Sequence, residues 1–375
     1  MRVAVFNRHI GLAGGGELVA LSITRALEES GRIVDLVTYR FEPGDAERAI
    51  ELLTPGYRPR SLVVHDEPIL IKLLGASGRF VRLRKPLLIN EFFKRYGDRY
   101  DLVIDTSSNA PTRADVVYVH YPAVLRTSGK SGLHWALYDK LVQHASRKLL
   151  GRPKLILCNS SWTAEKFRST YGDDFKVEVL HPPVDVEYFS AVAGMDKERL
   201  VVTVSRFAPV KNLEKVVDAA YRLRDFRFVI AGSRGKYSDP VVNRIERRLR
   251  ELGVDNVELL FNVPRDKLRE LLGRAKYYLH PPFAEHFGIA VAEAMSAGCV
   301  PIVYRDGGAW CDVVSRVSYT LGYHDVSEVP HIIKAIEGDE KLYEELRKRS
   351  IEVLSSFAYS KFKEKLLAYL GGILQ

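Results

Sequence analysis

Two glutamates eight residues apart, Glu285 and Glu293, flank Phe287-Gly288-Ile289 in the run from Pro281-Pro282 to Ala294-Met295. Ionised carboxylates accept hydrogen bonds from hydroxyls and donate none. Eight residues are 2.2 helical turns, which places two such positions within roughly 80° of each other on a helix. The pattern predicts Glu285 in the loop and Glu293 inside the helix. Phe287, Gly288 and Ile289 then form the first turn, whose backbone N–H groups lack carbonyl partners and suit an anion. An anion beside several hydroxyls describes a nucleotide sugar. The same residues also fit an ordinary βα unit with two surface glutamates.

Three further constellations have the right chemistry. Ser205-Arg206-Phe207-Ala208-Pro209-Val210-Lys211-Asn212 follows the apolar run Val201 to Val204. Arg206 and Lys211 stand five apart around a proline, so both cations can project over one anion, Arg as a fork of donors and Lys as a compact charge. Two solvated surface cations are the plainer alternative. Gly14-Gly15-Gly16-Glu17 follows the first apolar run. Glycines there let backbone approach a phosphate, or merely make a tight turn. Their spacing is not G-x-G-x-x-G, which argues against a dehydrogenase. His120, in Tyr118-Val119-His120-Tyr121-Pro122, stands at the end of an expected strand.

Elements that would position these residues alternate along the chain. Strands are expected at residues 3–7, 33–38, 101–105, 116–120 and 155–159, with a helix over 17–30 and another capped by Ser160. His181-Pro182-Pro183 interrupts the pattern. A second series follows, with strands at 200–205, 226–231, 257–261 and 277–279 and helices at 211–223, 241–252 and 267–275. Repeated βα alternation predicts an α/β protein with two Rossmann-like doubly wound parallel sheets, whose ligands bind at strand carboxyl ends, here in a central cleft.

At 375 residues and 46% hydrophobic content the chain fits two domains, each with its own core. No long apolar run predicts a membrane-spanning helix, and Met1-Arg2-Val3-Ala4-Val5-Phe6 reads as a strand, not a signal peptide. Cys158, Cys299 and Cys311 show no C-x-x-C spacing, which favours a cytoplasmic setting without a structural zinc. The formal charge is +9. No nucleic-acid-binding pattern accompanies it, and high Arg and Glu content with few Met and Cys suits a thermophile.

Residues 281–303, with the glutamate pair, resemble the E-x7-E element of retaining glycosyltransferases of family 4, which have the GT-B fold. Arg206 and Lys211 are similar to that family's R-x4-K element. The resemblance implies that Arg206 and Lys211 bind the donor diphosphate, that Glu293 holds ribose hydroxyls and Glu285 sugar hydroxyls, and that His120 contacts the transferred sugar. It implies that Gly14, Gly15 and Gly16 face the diphosphate and acceptor, beside donor-binding Phe287, Gly288 and Ile289. It also implies transfer without a metal or cofactor, and a last helix that crosses back to the N-terminal domain.

His120-Tyr121-Pro122, Leu157-Cys158-Asn159-Ser160-Ser161-Trp162-Thr163 and Glu285-His286-Phe287-Gly288-Ile289 together look like the asparagine-linked-glycosylation α-1,2-mannosyltransferases. Those enzymes move mannose from GDP-mannose to a dolichol-linked oligosaccharide. Here Phe357-Ala358-Tyr359 replaces their late F-S-W run.

The expectation is thus a mannosyltransferase with an acceptor domain over 1–183, a donor domain over 184–350 and a crossing helix over 351–375. Its partners would be a nucleotide sugar, GDP-mannose by preference, and a lipid-linked or glycan acceptor, without nucleic acid. Residues 68–99 carry eight basic against two acidic residues among aliphatics, which suits an interfacial surface on anionic lipid or an ordinary helix pair. Peripheral attachment to the cytoplasmic membrane face would follow from the first reading. The alternatives are a nucleotide-sugar epimerase or hydrolase on the same scaffold, and a non-enzymatic membrane- or polyanion-binding protein.

Overall fold

The computed structural model describes residues 1–11, 13–39, 44–76, 81–123, 125, 140, 150–235 and 238–373. They form two compact units, Met1–Pro183 with Tyr359–Gln375, and Val184–Ala358.

Unit 1 is built on a seven-stranded parallel sheet in the order β3-β2-β1-β4-β5-β6-β7. Its strands are β1 (Arg2–Phe6), β2 (Ile33–Tyr39), β3 (Leu62–His65), β4 (Leu102–Asp105), β5 (Val116–Val119), β6 (Leu155–Cys158) and β7 (Val177–Val179). A strand buried on both faces must be apolar throughout, and Val3, Ala4, Val5 and Phe6 are all fully buried. Val3 and Val5 face a layer that includes Leu21, Phe362 and Leu366. Ala4 and Phe6 face the opposite layer, with Phe92 and Phe167.

Unit 2 carries a six-stranded parallel sheet in the order β10-β9-β8-β11-β12-β13. These are β8 (Glu198–Val204), β9 (Arg227–Gly232), β10 (Val257–Phe261), β11 (Ala275–Leu279), β12 (Val300–Tyr304) and β13 (Gly322–Tyr323). Both sheets are the two doubly wound, Rossmann-like sheets expected from the sequence. In each, strand order reverses once at the centre, between β1 and β4 and between β8 and β11. The loops leaving those strands diverge to opposite faces and open a crevice at the carboxyl ends.

The structure corrects the sequence reading in four places. The expected crossing helix over 351–375 is broken. One helix ends at Leu354, a turn covers Ser355–Phe357, and a new helix runs Tyr359–Gly371. Phe357 causes the break by burying edge-on against Phe287, 5.3 Å away, so the chain stays in unit 2 until Ala358. The helix at 289 starts one residue after Gly288, which has φ 89°. Phe287 lies before the first turn, and its side chain is core. The first helix spans Gly15–Glu29 rather than 17–30. Finally, the basic segment is only partly an exposed face, because Lys72, Lys94, Arg95 and Arg99 are exposed while Arg84 forks onto Glu67 and, like Lys85, is part-buried. Arg79 and the side chains of Leu74 and Arg82 lie outside the described residues.

Candidate functional site

In unit 2 the loop after β8 and the loop after β11 are tied together. Ser205 N–H donates to Ala231 O, and Phe207 buries and donates to Ser233 O, which leaves Arg206 exposed at the loop crest. A single turn over Pro209–Lys211 ends at Asn212, in the left-handed region at φ 48°. From there the Asn212 carboxamide donates to Pro282 O at 2.8 Å. This cross-link brings Lys211 Nζ within 2.6 Å of Glu285 Oε2 and 4.1 Å from the centre of the Phe283 ring.

Glu285 is held from three further sides. Its backbone bridges Gly307, where an added Cβ would lie 2.3 Å from Glu285 O, so only glycine fits. The His280 ring nitrogen is 3.5 Å from its carboxylate. His286 N–H donates to Glu285 Oε1 at 3.2 Å. Burial alone pushes the Glu285 carboxyl up, but Lys211, then His280 and His286, hold it well below the usual carboxylate range. Glu293, in the helix Ile289–Ser296, has the opposite environment. Burial raises its carboxyl to about 7, against the pull of Arg265 and with a further push from Asp185. Arg265 is itself paired with Asp185 at 2.6 Å.

The structure therefore joins Lys211 to Glu285 directly and places Glu293 in the helix that follows. Gly288 caps that helix, and an added Cβ would lie 2.8 Å from Ala309 Cβ. Ile289 is its first residue, and Phe287 supplies no side chain to the surface.

In unit 1 the loop after β1 carries Gly14, Gly15 and Gly16. The Glu17 carboxylate folds back and accepts from Gly11 N–H and Gly14 N–H, both at 2.6 Å. The amide of Gly14, expected to meet a phosphate, is thus already taken. Gly16 packs against the Nε2 corner of the His120 ring, whose Nε2 would be 3.4 Å from an added Cβ. Thr106 O accepts from that nitrogen at 3.1 Å. Asn109, at φ 59°, fixes the histidine backbone by accepting His120 N–H at 2.6 Å through its side-chain oxygen. Asn7 completes the network, donating to Thr106 Oγ1 at 3.0 Å and to Gly16 O at 3.4 Å.

Asn7, Thr106, Asn109, Asn212, His280 and Phe283 were not singled out in the sequence. Asparagines that cap loops in left-handed geometry carry no spacing signal of their own. Their one cue was position, at or just after the end of an expected strand.

The family described as Glycosyltransferase Family 4 matches residues 13–188, and the one described as Glycosyl transferases group 1 matches residues 187–353. A GDP-Man:Man(3)GlcNAc(2)-PP-Dol alpha-1,2-mannosyltransferase of Homo sapiens is 29% identical over 236 residues, 57% of this chain and 47% of that protein. The protein of the same name from Xenopus laevis is 25% identical over 367 residues, 83% of this chain and 74% of that one. The chain spans about half the length of the human and mouse relatives. Among solved structures, sucrose-phosphate synthase from Thermosynechococcus elongatus superposes with a TM-score of 0.74 at 16% identity, covering 100% of this chain and 99% of that one. WaaG, a glycosyltransferase involved in lipopolysaccharide biosynthesis, gives 0.72 at 14% identity, covering 99% and 100%.

Proposed function

This chain belongs to glycosyltransferase family 4 and has the GT-B fold, and we propose that it is a retaining hexosyltransferase. It moves a hexose, mannose by preference, from a nucleotide sugar such as GDP-mannose to a lipid-linked glycan. The observation that carries this reading is the meeting of Lys211 and Glu285 at the β8/β11 switch point, with Arg206 exposed on the same loop as Lys211. A cation already matched to a carboxylate can trade that partner for a diphosphate, and the released carboxylate can then accept from sugar hydroxyls.

Arg206 and Lys211 oppose the charge that grows on the leaving diphosphate. Glu293 accepts from ribose hydroxyls, and His120 positions the transferred sugar. Transfer proceeds without a metal or cofactor. The protein works at the cytoplasmic membrane face, docked peripherally through the helix Ile69–Ala76. Ile69, Leu70 and Leu73 are 76%, 77% and 61% exposed there, beside exposed Lys72, and no helix among the described residues is long and apolar enough to cross a membrane.

The test is incubation with GDP-mannose and a mannose-ended lipid-linked acceptor, with the product linkage read by NMR. Transfer giving an α-linked mannose, unaffected by EDTA, is expected. Turnover of the donor without an acceptor would point to the epimerase or hydrolase instead. Activity that EDTA abolishes and Mg²⁺ or Mn²⁺ restores would overturn the metal-free mechanism.

A further inference from the structure

Two destabilising features share the short loop that follows β4. Asp105, which ends the strand, is a fully buried carboxylate. It accepts from Ser107 N–H and Ser108 N–H and from the Ser108 and Thr112 hydroxyls. Those four donors fold residues 105–112 back on themselves. Four residues after Asp105, Asn109 takes the left-handed region at φ 59°. The far end of the loop is fixed as well. Gly151 N–H donates to Pro111 O, and an added Cβ on Gly151 would lie 2.0 Å from Thr112 O. Buried carboxylates and left-handed side chains lower stability, and they persist where the surrounding structure fixes them, most often at functional sites.

The loop grips residues 120–123, at the carboxyl end of β5. Asn109 meets that segment three times. Its side-chain oxygen accepts His120 N–H at 2.6 Å and Tyr121 N–H at 3.4 Å, and its backbone oxygen accepts Ala123 N–H at 2.9 Å. The loop also reaches the His120 ring, because Thr106 O accepts from Nε2 at 3.1 Å. A carbonyl oxygen only accepts, so this contact puts the ring hydrogen on Nε2 and makes Nδ1 the acceptor of the neutral imidazole. Backbone and ring of one histidine are thus held by two residues three apart in one loop.

We propose that Asn109 is a positioning residue for the transfer. By clamping residues 120–123 it keeps the His120 ring on Thr106 O, and so fixes which imidazole nitrogen meets the transferred sugar. This deepens the transferase reading above and rests on its placing of His120 at the sugar. A sugar hydroxyl that meets Nδ1 donates to it. Asn109 acts through His120 and needs no contact with either substrate.

A double-mutant cycle on transfer from GDP-mannose to a mannose-ended lipid-linked acceptor tests this. Asn109→Gly keeps the left-handed backbone and removes the side-chain acceptor. It is expected to lower kcat about tenfold or more, since a catalytic group displaced by an ångström can lose about 10² in rate. KM for GDP-mannose should stay within about threefold of wild type. Asn109→Asp, which restores an acceptor, should bring kcat back to within about threefold. In the His120→Ala background, Asn109→Gly should lower kcat less than about twofold, because the residue it serves is gone. Equal losses in both backgrounds would make Asn109 a part of the scaffold alone and overturn the proposal, as would wild-type kcat in Asn109→Gly. Wild-type kcat in His120→Ala would remove the histidine from the sugar and the proposal with it. If the wild type transfers nothing, the transferase reading falls, and nitrogen-15 spectra of the histidine rings still decide the grip. The His120 signal, identified by its loss in His120→Ala, should show hydrogen on Nε2 in wild type and Asn109→Asp, and a mixture of tautomers in Asn109→Gly. A wild-type pattern in the glycine variant overturns the grip without reference to turnover.

Discussion

At Glu293 the proton leaves at about 7, because burial and Asp185 outweigh Arg265. Below that pH the neutral carboxyl accepts poorly from ribose hydroxyls. GDP affinity should thus fall as pH drops from 8 to 6, and titrations across that range check it. Glu293→Gln should flatten the dependence and weaken GDP by roughly 1.5–3 kcal/mol for each charge-assisted bond lost. Unchanged affinity would place Glu293 away from the nucleotide. The stability effect has the opposite slope. The folded value lies above the unfolded 4.5, so the group's contribution is full below about 4.5 and is lost as pH rises through 7. The melting temperature of ligand-free wild type should drop from pH 5 to 7.5 by more than that of the glutamine variant. Arg206 and Lys211 face a different demand, since their charge matters most in the transition state. Each alanine variant should lose about 10²–10³ in turnover, and the double variant should lose far less than the product, because both act on one diphosphate. Near-normal kcat in either single variant would remove it from the mechanism.

Among the elements, the central strands were legible because a strand buried on both faces must be apolar throughout, and Val201, Val202 and Ile230 announce themselves that way. Helix starts were less so. Gly288 and Gly14 are both caps, yet a cap and a first-turn residue look alike in a run of small residues. Edge elements such as β3, β7 and β13 were missed, being two to four residues long with little periodicity to read. In the basic segment, Arg84 departs from expectation for a different reason. Lys and Arg are expected outside, but the carboxylate that draws Arg84 inward, Glu67, precedes the segment and its pairing depends on the tertiary fold. The exposed surface there joins Ile69, Leu70 and Leu73 on the helix Ile69–Ala76 with exposed Lys72, Lys94, Arg95 and Arg99. Replacing Ile69, Leu70 and Leu73 with Ser should release the protein from anionic vesicles in a sedimentation assay, at low and high salt alike, since each buried aliphatic contributes about 1.5–3 kcal/mol. Release by salt alone, with the triple variant still bound, would assign docking to charge.

For the whole molecule, the decisive fact is that unit 2 is one continuous stretch while unit 1 is two. Phe362, Leu366 and Leu370 from the last helix lie in the core beside Val3, Val5 and Leu27. Tyr359 and Lys363 both bond Glu29 on the first helix. Three buried apolar side chains at about 1.5–3 kcal/mol each are comparable with the whole stability of a domain, roughly 5–15 kcal/mol. A chain ending at Ala358 should keep the melting transition of unit 2 and lose that of unit 1, with limited proteolysis leaving a fragment that starts near Val184. Survival of both transitions would show that the last helix is dispensable. During synthesis the same arrangement sets an order. Unit 1 emerges first, yet its core stays open until all of Val184–Ala358 has been translated. At 5–20 residues per second that wait is roughly 10–35 s. Over that interval the nascent N-terminal half shows an uncovered apolar layer, so in the cell it is this half that needs a chaperone, while the later-made half can fold as it leaves the ribosome.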